Sequence, residues 1–128
     1  MLWKLPESDA AGLAPLALAY VGDAVFELYV RCRLASKGAR VNQLHKSAVS
    51  MVSAKAMAEY YHRLLPLLTE SELRVMYRGR NAKSRRIKSA GVNQYHMSSG
   101  FEALVGYLFL SEQTERLDHL LEQIITEE

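Results

Sequence analysis

Two acidic side chains stand where acids are costly. From Leu16 to Val30 the chain carries small or apolar residues, interrupted only by Tyr20, Asp23, Glu27 and Tyr29. From Ser99 to Leu110 the only charge is Glu102. Helices that are apolar on nearly every side are buried on every side, and an ionised carboxylate in such surroundings needs a partner or a metal ion. Two such helices packed together bring Asp23 and Glu102 to one point. Carboxylate oxygens of this kind suit Mg²⁺, which takes one or two protein acids and completes its shell with waters and phosphate oxygens; Mn²⁺ is the natural substitute. A cation so held activates water and stabilises the leaving oxygen in phosphodiester cleavage. Gly22, beside Asp23, costs about 1 kcal/mol in a helix interior, and a close approach of backbone or ligand would explain it.

Plainer roles are open to the same residues. Glu102 follows Ser99 by three positions and fits the second half of a capping box. Asp23 also fits a structural acid paired with an arginine or a histidine. Glu27 lies one turn after Asp23 on the same face, as a supplementary ligand or as a solvated or paired helix acid.

The second chemical feature is a charge asymmetry hidden by a net charge of only +2. Between Glu72 and Glu102 there is no acid, and the same stretch holds Arg74, Arg78, Arg80, Lys83, Arg85, Arg86 and Lys88. After Leu110 the balance reverses: Glu112, Glu115, Asp118, Glu122, Glu127 and Glu128 face a lone Arg116. A cluster of cations without counter-charges suits a polyanion, and nucleic-acid phosphates are bound in this salt-dependent way. Aromatic residues are sparse in it. Single-strand binders stack bases on aromatic platforms, so Arg78, Arg80, Asn81, Lys83, Arg85, Arg86 and Lys88 suit the backbone of a duplex.

The elements that must position these residues are helical. Leu18, Val21, Val25, Leu28 and Cys32 recur every three or four residues after Pro15, with Gly38 near the far end. A second helix is predicted from Asn42 as N-cap towards Leu64 and Pro66. Thr69 to Glu72 reads as a capping box opening a third. Gly79 to Gly91 reads as a basic, irregular loop with some helical turn. A fourth helix is predicted from about Ser99 to Leu110, and a last one from Thr114 to about Thr126. No run alternates at period two for long enough to make a strand. The expectation is a single all-α domain over residues 1–128 with about five helices. Greasy surfaces on two helices of so small a domain call for a symmetric partner.

Composition excludes several classes. A hydrophobic fraction of 49% and a charged fraction of 23% describe a globular domain. One cysteine, Cys32, placed on the core stripe, rules out a disulfide framework and a cysteine-built zinc site. No apolar run reaches the length of a membrane span, and the N-terminus does not read as a signal peptide; the default address is the cytoplasm. His45, His62, His96 and His119 lack zinc-ligand spacing, with His96 close to the Glu102 helix. Phosphate-cradling glycine loops and the G-x-S-x-G motif are absent.

The segment Ala19-Tyr20-Val21-Gly22-Asp23-Ala24-Val25-Phe26-Glu27-Leu28 resembles the signature helix of the ribonuclease III endonuclease domain. Phe101-Glu102-Ala103-Leu104-Val105-Gly106 resembles its second acidic helix, in the same order. Tyr77-Arg78-Gly79-Arg80-Asn81-Ala82-Lys83-Ser84, small size and the lack of an appended RNA-binding domain narrow the resemblance to the Mini-III branch. The resemblance implies a homodimeric helical bundle that cuts both strands of double-stranded RNA with Mg²⁺, leaving 5′-phosphate and 3′-hydroxyl ends. It places Asp23 and Glu102 as catalytic metal ligands. It also implies the 23S ribosomal RNA precursor as substrate, with a large-subunit ribosomal protein assisting. Two positions depart from the full-length enzymes: Ala19 and Ser99 stand where further acids are usual, which leaves waters, RNA phosphates or Ser99 itself to complete the site. The competing functions are a non-catalytic RNA-binding dimer acting in ribosome assembly and a helical DNA-binding module.

Overall fold

The computed structural model describes residues 5–38, 40–82 and 92–125, except for the side chain of Val92. Among them there is no strand. The helices are α1 (Glu7–Ala11), α2 (Pro15–Ala35), α3 (Val41–Met51), α4 (Ala54–Leu64), α5 (Glu70–Asn81), α6 (Val92–Leu110) and α7 (Thr114–Ile124), with a 3-10 turn at Leu65–Leu67 after α4. The all-α expectation holds.

Helix α6 is the axis of the bundle, packed chiefly against α2, α5 and α4. Phe101, Ala103, Leu104, Val105, Tyr107 and Leu108 are all buried, as an all-round apolar helix requires. Phe26 of α2 meets Phe101 edge to face at 4.9 Å, and Tyr60 of α4 closes the aromatic cluster at 5.6 Å and 5.5 Å from these two rings. Such edge contacts add to what burial alone contributes.

Several boundaries differ from the sequence reading, each for a local reason. The helix predicted from Asn42 to Leu64 is two helices. Ser53 breaks it by accepting the Ala56 N–H at 3.1 Å as N-cap of α4, and the Tyr60 hydroxyl donates to the Met51 carbonyl at the end of α3. Serine competes for backbone hydrogen bonds in this way and so favours helix ends. Arg40, not Asn42, is the N-cap of α3, without a side-chain bond; the Asn42 amide oxygen accepts only from Gln43 N–H. Helix α2 is followed by Gly38 at φ +74°, a left-handed position that glycine adopts without strain.

The capping box at Thr69 forms as predicted: Thr69 Oγ1 accepts from Glu72 N–H, and Glu72 accepts from Thr69 N–H at 2.9 Å. Arg116 of α7 adds two donations to the same carboxylate at 2.9 Å and a third to the Leu67 carbonyl. Burial alone would raise the Glu72 pKa, but the Arg116 and Thr69 hydrogen bonds outweigh it and hold the acid below its usual range. This ion pair ties α5 to α7.

Helix α2 departs from expectation more deeply. It is not buried all round. Leu18, Ala19, Gly22, Phe26 and Val30 face the core, while Leu16, Tyr20, Asp23, Ala24, Leu28 and Cys32 lie on exposed surface. Cys32 is therefore not on the core stripe, because the stripe that meets α6 runs through Gly22, Phe26 and Val30.

Candidate active site

Glycines decide where α2 and α6 cross. A Cβ on Gly22 would fall into the Glu102 carbonyl, and one on Gly106 into the Leu18 carbonyl. The two backbones thus touch at the Gly22–Glu102 level, which only residues without side chains permit. Gly79 and Gly100 do the same between α5 and α6. The close approach expected at Gly22 is that of backbone. Because Asp23 follows Gly22 and Glu102 lies opposite it, the crossing brings the two acids together.

Their carboxyl groups are within hydrogen-bonding reach. Asp23 is exposed and Glu102 half-buried. The Glu102 carboxyl is pushed up to about 8, first by burial, then by the hydrogen bond and the negative charge of Asp23. Near neutral pH Glu102 thus keeps a proton that bridges it to Asp23. A divalent cation fits the same place, since it replaces that proton and offsets both charges. Among the described residues the partner of Asp23 is an acid, not the arginine or histidine that a structural role would require.

Around the pair lies a cleft of about 270 Å³ lined by Leu16, Ala19, Tyr20, Asp23, Tyr95, Ser99 and Glu102. Ala19 and Ser99, where the resemblance would place further acids, both face this cleft. Among the described residues no group of three or more acids, histidines or cysteines could hold a metal; Asp23 and Glu102 are the charged side chains among the residues lining the cleft. The capping role for Glu102 is excluded, because α6 begins at Val92 and Ser99 is buried in its interior. Glu27 is not in the cleft; it pairs with Arg31 at 2.7 Å one turn further along α2.

The sequence reading missed Tyr95. Its spacing to Ser99 and Glu102, four and seven residues, was a legible helical signal, obscured by starting the helix at Ser99. Polar residues Asn93 to Ser98 hid the first turns, although Ser98 simply returns its hydroxyl to the Tyr95 carbonyl at 2.7 Å.

The expected RNA-binding residues divide. Arg78, Arg80 and Asn81 belong to the last turn of α5, so the helical turn expected in the Gly79–Gly91 stretch lies at its start. Arg78 donates to the Ala11 carbonyl at 2.7 Å and, at 3.5 Å, to Leu13, which ties the α1–α2 junction to α5. Arg80 donates to the Tyr61 hydroxyl at 2.9 Å and to Asn81 Oδ1 at 3.1 Å, and its guanidinium lies 4.7 Å from the centre of the Tyr77 ring. Lys83, Arg85, Arg86 and Lys88 lie outside the described residues.

The Ribonuclease III domain family matches residues 16–113, a span that contains α2 from its second residue, α6 and the acid pair. The chain belongs to the ribonuclease III family. Within it the chain falls in the Mini-III branch: it is 53% identical over 112 residues to a Mini-ribonuclease 3 of Symbiobacterium thermophilum, covering 86% of each chain. It is 45% identical over 128 residues to one from Thermoanaerobacter sp., covering 96% of this chain and 90% of the relative. The crystal structure of a Fusobacterium nucleatum protein superposes with a TM-score of 0.80 at 26% identity, over 88% of this chain and 93% of that one. As a ribonuclease III family member with this kinship, the chain is an endoribonuclease.

Proposed function

We propose that this ribonuclease III family member hydrolyses both strands of double-stranded RNA with Mg²⁺, leaving 5′-phosphate and 3′-hydroxyl ends. The observation that carries this reading is the meeting of Asp23 and Glu102 at the Gly22–Gly106 crossing. Bound there, Mg²⁺ supplies the charge that polarises the phosphodiester and the acidity that activates water. Asp23 and Glu102 hold and orient the cation. The absence of acids at Ala19 and Ser99 leaves cleft volume for phosphate oxygens and water. Arg80 and Asn81, with Lys83, Arg85, Arg86 and Lys88, meet the duplex backbone through charge, with little sequence preference. Mn²⁺ substitutes because carboxylate, water and phosphate ligands accept it equally.

The working unit in this proposal is a homodimer. Leu16, Tyr20, Ala24 and Leu28 recur every four residues along the exposed face of α2, and Tyr20 and Leu28 are 83% and 62% exposed. A contiguous apolar stripe of this kind suits a self-complementary interface. Leu16 and Tyr20 also line the acid cleft, so the stripe and the site are continuous, and a dimer carries two sites, one per strand. The proposal carries over from the resemblance the 23S ribosomal RNA precursor as substrate, a large-subunit ribosomal protein as helper, and the cytoplasm as location. No helix of the described residues is long and apolar enough to cross a membrane.

The test is cleavage of a generic RNA duplex with Mg²⁺, with EDTA, and by Asp23→Asn. Expected are Mg²⁺-dependent products, none with EDTA, and a loss of about 10³-fold or more in the variant, the scale on which losing a metal ligand is felt. Wild-type rates from Asp23→Asn would sink the assignment. Binding without cleavage by the wild type would favour the non-catalytic RNA-binding dimer, and preference for a DNA duplex the DNA-binding module.

A further inference from the structure

A second cleft adjoins the acid pair and has no role in holding the cation. It is an open recess of about 350 Å³ between the end of α5 and the start of α6, lined by Arg80, Asn81, Asn93 and His96. The rings of Tyr95 and His96 meet edge to face at 6.0 Å between centres. Tyr95 lines the acid cleft and His96 this one, so one pair of rings separates the adjoining recesses.

The donors in this cleft are fixed in advance. Arg80 is held through Nη1 by Tyr61, through Nε by Asn81 and from one face by Tyr77, and neither hydrogen bond uses Nη2. His96 Nδ1 is buried with no hydrogen-bond partner among the described residues. With Nδ1 enclosed, Nε2 is the ring nitrogen left to meet a ligand in the cleft. Asn93 is exposed, and its amide both donates and accepts. Among the described residues no carboxylate lines the recess. An anchored guanidinium beside an imidazole and two side-chain amides matches a ligand with an anionic group and a hydroxyl.

We propose that this cleft seats the ribose–phosphate unit neighbouring the scissile one, and that His96 and Asn93 read its 2′-hydroxyl. Arg80 Nη2 donates to a phosphate oxygen, His96 Nε2 donates to the 2′-oxygen, and the 2′-hydroxyl donates to Asn93 Oδ1. The 2′-hydroxyl is the group that distinguishes RNA from DNA at a given contact. His96 and Asn93 are then positioning residues that give the catalytic domain a preference for RNA of its own. The inference rests on the reading of Asp23 and Glu102 as the cleavage site for duplex RNA.

The experiment measures binding, so that it does not depend on catalysis. Short RNA duplexes carrying a single 2′-deoxynucleotide, moved stepwise across the cleavage position, are titrated with the full chain in EDTA and followed by fluorescence anisotropy. For wild type, one position beside the scissile bond should weaken binding about fivefold, the scale of one hydrogen bond. That penalty should vanish in His96→Ala and persist in His96→Gln, whose amide nitrogen can stand in for Nε2. Asn93→Ala, on exposed surface, should diminish the penalty without disturbing the fold. An equal penalty in wild type and His96→Ala, or no sensitive position at all, overturns the proposal. If the deoxy pattern appears but Mg²⁺ elicits no cutting, the catalytic reading fails and the contact stands. If cutting occurs while binding ignores every deoxy substitution, the contact fails and the catalytic reading stands.

Discussion

Helices α2 and α6 have similar sequences in the sense that matters for folding: each is long, apolar on most sides and interrupted by an acid beside or opposite a glycine. Their surroundings differ. Helix α6 is wrapped by α2, α4 and α5 and is largely buried from Ser98 onwards, whereas α2 gives one face to α6 and leaves Leu16, Tyr20, Ala24 and Leu28 uncovered. The two acids inherit this difference. Glu102, on the wrapped helix, is pushed up to about 8, burial being the first cause; Asp23, on the half-covered helix, is exposed. Apolar composition therefore says that a helix needs covering, not what covers it. In α6 the chain covers itself, and in α2 the stripe through Tyr20 and Leu28 stays uncovered.

Truncation separates the two helices most sharply. Phe101→Ala, at a fully buried position of α6, should cost about 4 kcal/mol, read from urea unfolding; Leu28→Ala on α2 should move the same midpoint by less than about 0.5 kcal/mol in dilute protein. A large loss from Leu28→Ala in the monomer would show that α2 is covered from within.

Next in size are the crossing glycines. Gly22→Ala and Gly106→Ala force a methyl group into opposing backbone, and each should destabilise by about 3 kcal/mol. They should also abolish cleavage by moving Asp23 away from Glu102. Unchanged stability together with lost activity would mean that the glycines serve a ligand and not the packing.

The acids themselves differ in their response to pH. The folded-state pKa of Glu102 lies above its unfolded value, so its ionisation is penalised by folding. Stability should be unaffected by it below about pH 4.5, decline as pH rises towards about 8, and level off above that. Metal-free wild type should therefore unfold at lower urea at pH 8.5 than at pH 6. Glu102→Gln should flatten this dependence, and Mg²⁺ should restore the loss in wild type only. Glu72 gives the opposite sign: its pKa is lowered, so its contribution is present above its unfolded value and is lost as pH falls through the folded one.

The smallest effect on folding, and the clearest on assembly, is expected from Tyr20→Ser. Monomer stability should change by less than about 0.5 kcal/mol, while sedimentation should show weaker self-association. A variant as strongly associated as wild type would move the interface away from α2.

Much of this was legible in the residues. The order and helical character of the elements follow from apolar spacing, and the Thr69 box opens α5 where its side chains specify. The pairing of Asp23 with Glu102 was also legible, since each acid on an oily helix requires a partner and few are available. What was not legible has two causes. Cys32 on the surface and the capture of Arg78 by the Ala11 carbonyl depend on a cover or a hydrogen-bond partner distant in the chain, whereas Ser53 splitting α3 from α4 turns on a local competition between a side-chain cap and a continuing helix.

The chain alone determined its class, its kinship and the identity of its two acids, because residue type and local period are written in order along it. Tertiary structure decided which face of α2 stayed open, how far the Glu102 proton is held, and that the rings of Tyr95 and His96 stand between adjoining clefts. Those properties arise from backbones approaching at glycines and from the solvent that the approach removes, and neither has a local signature.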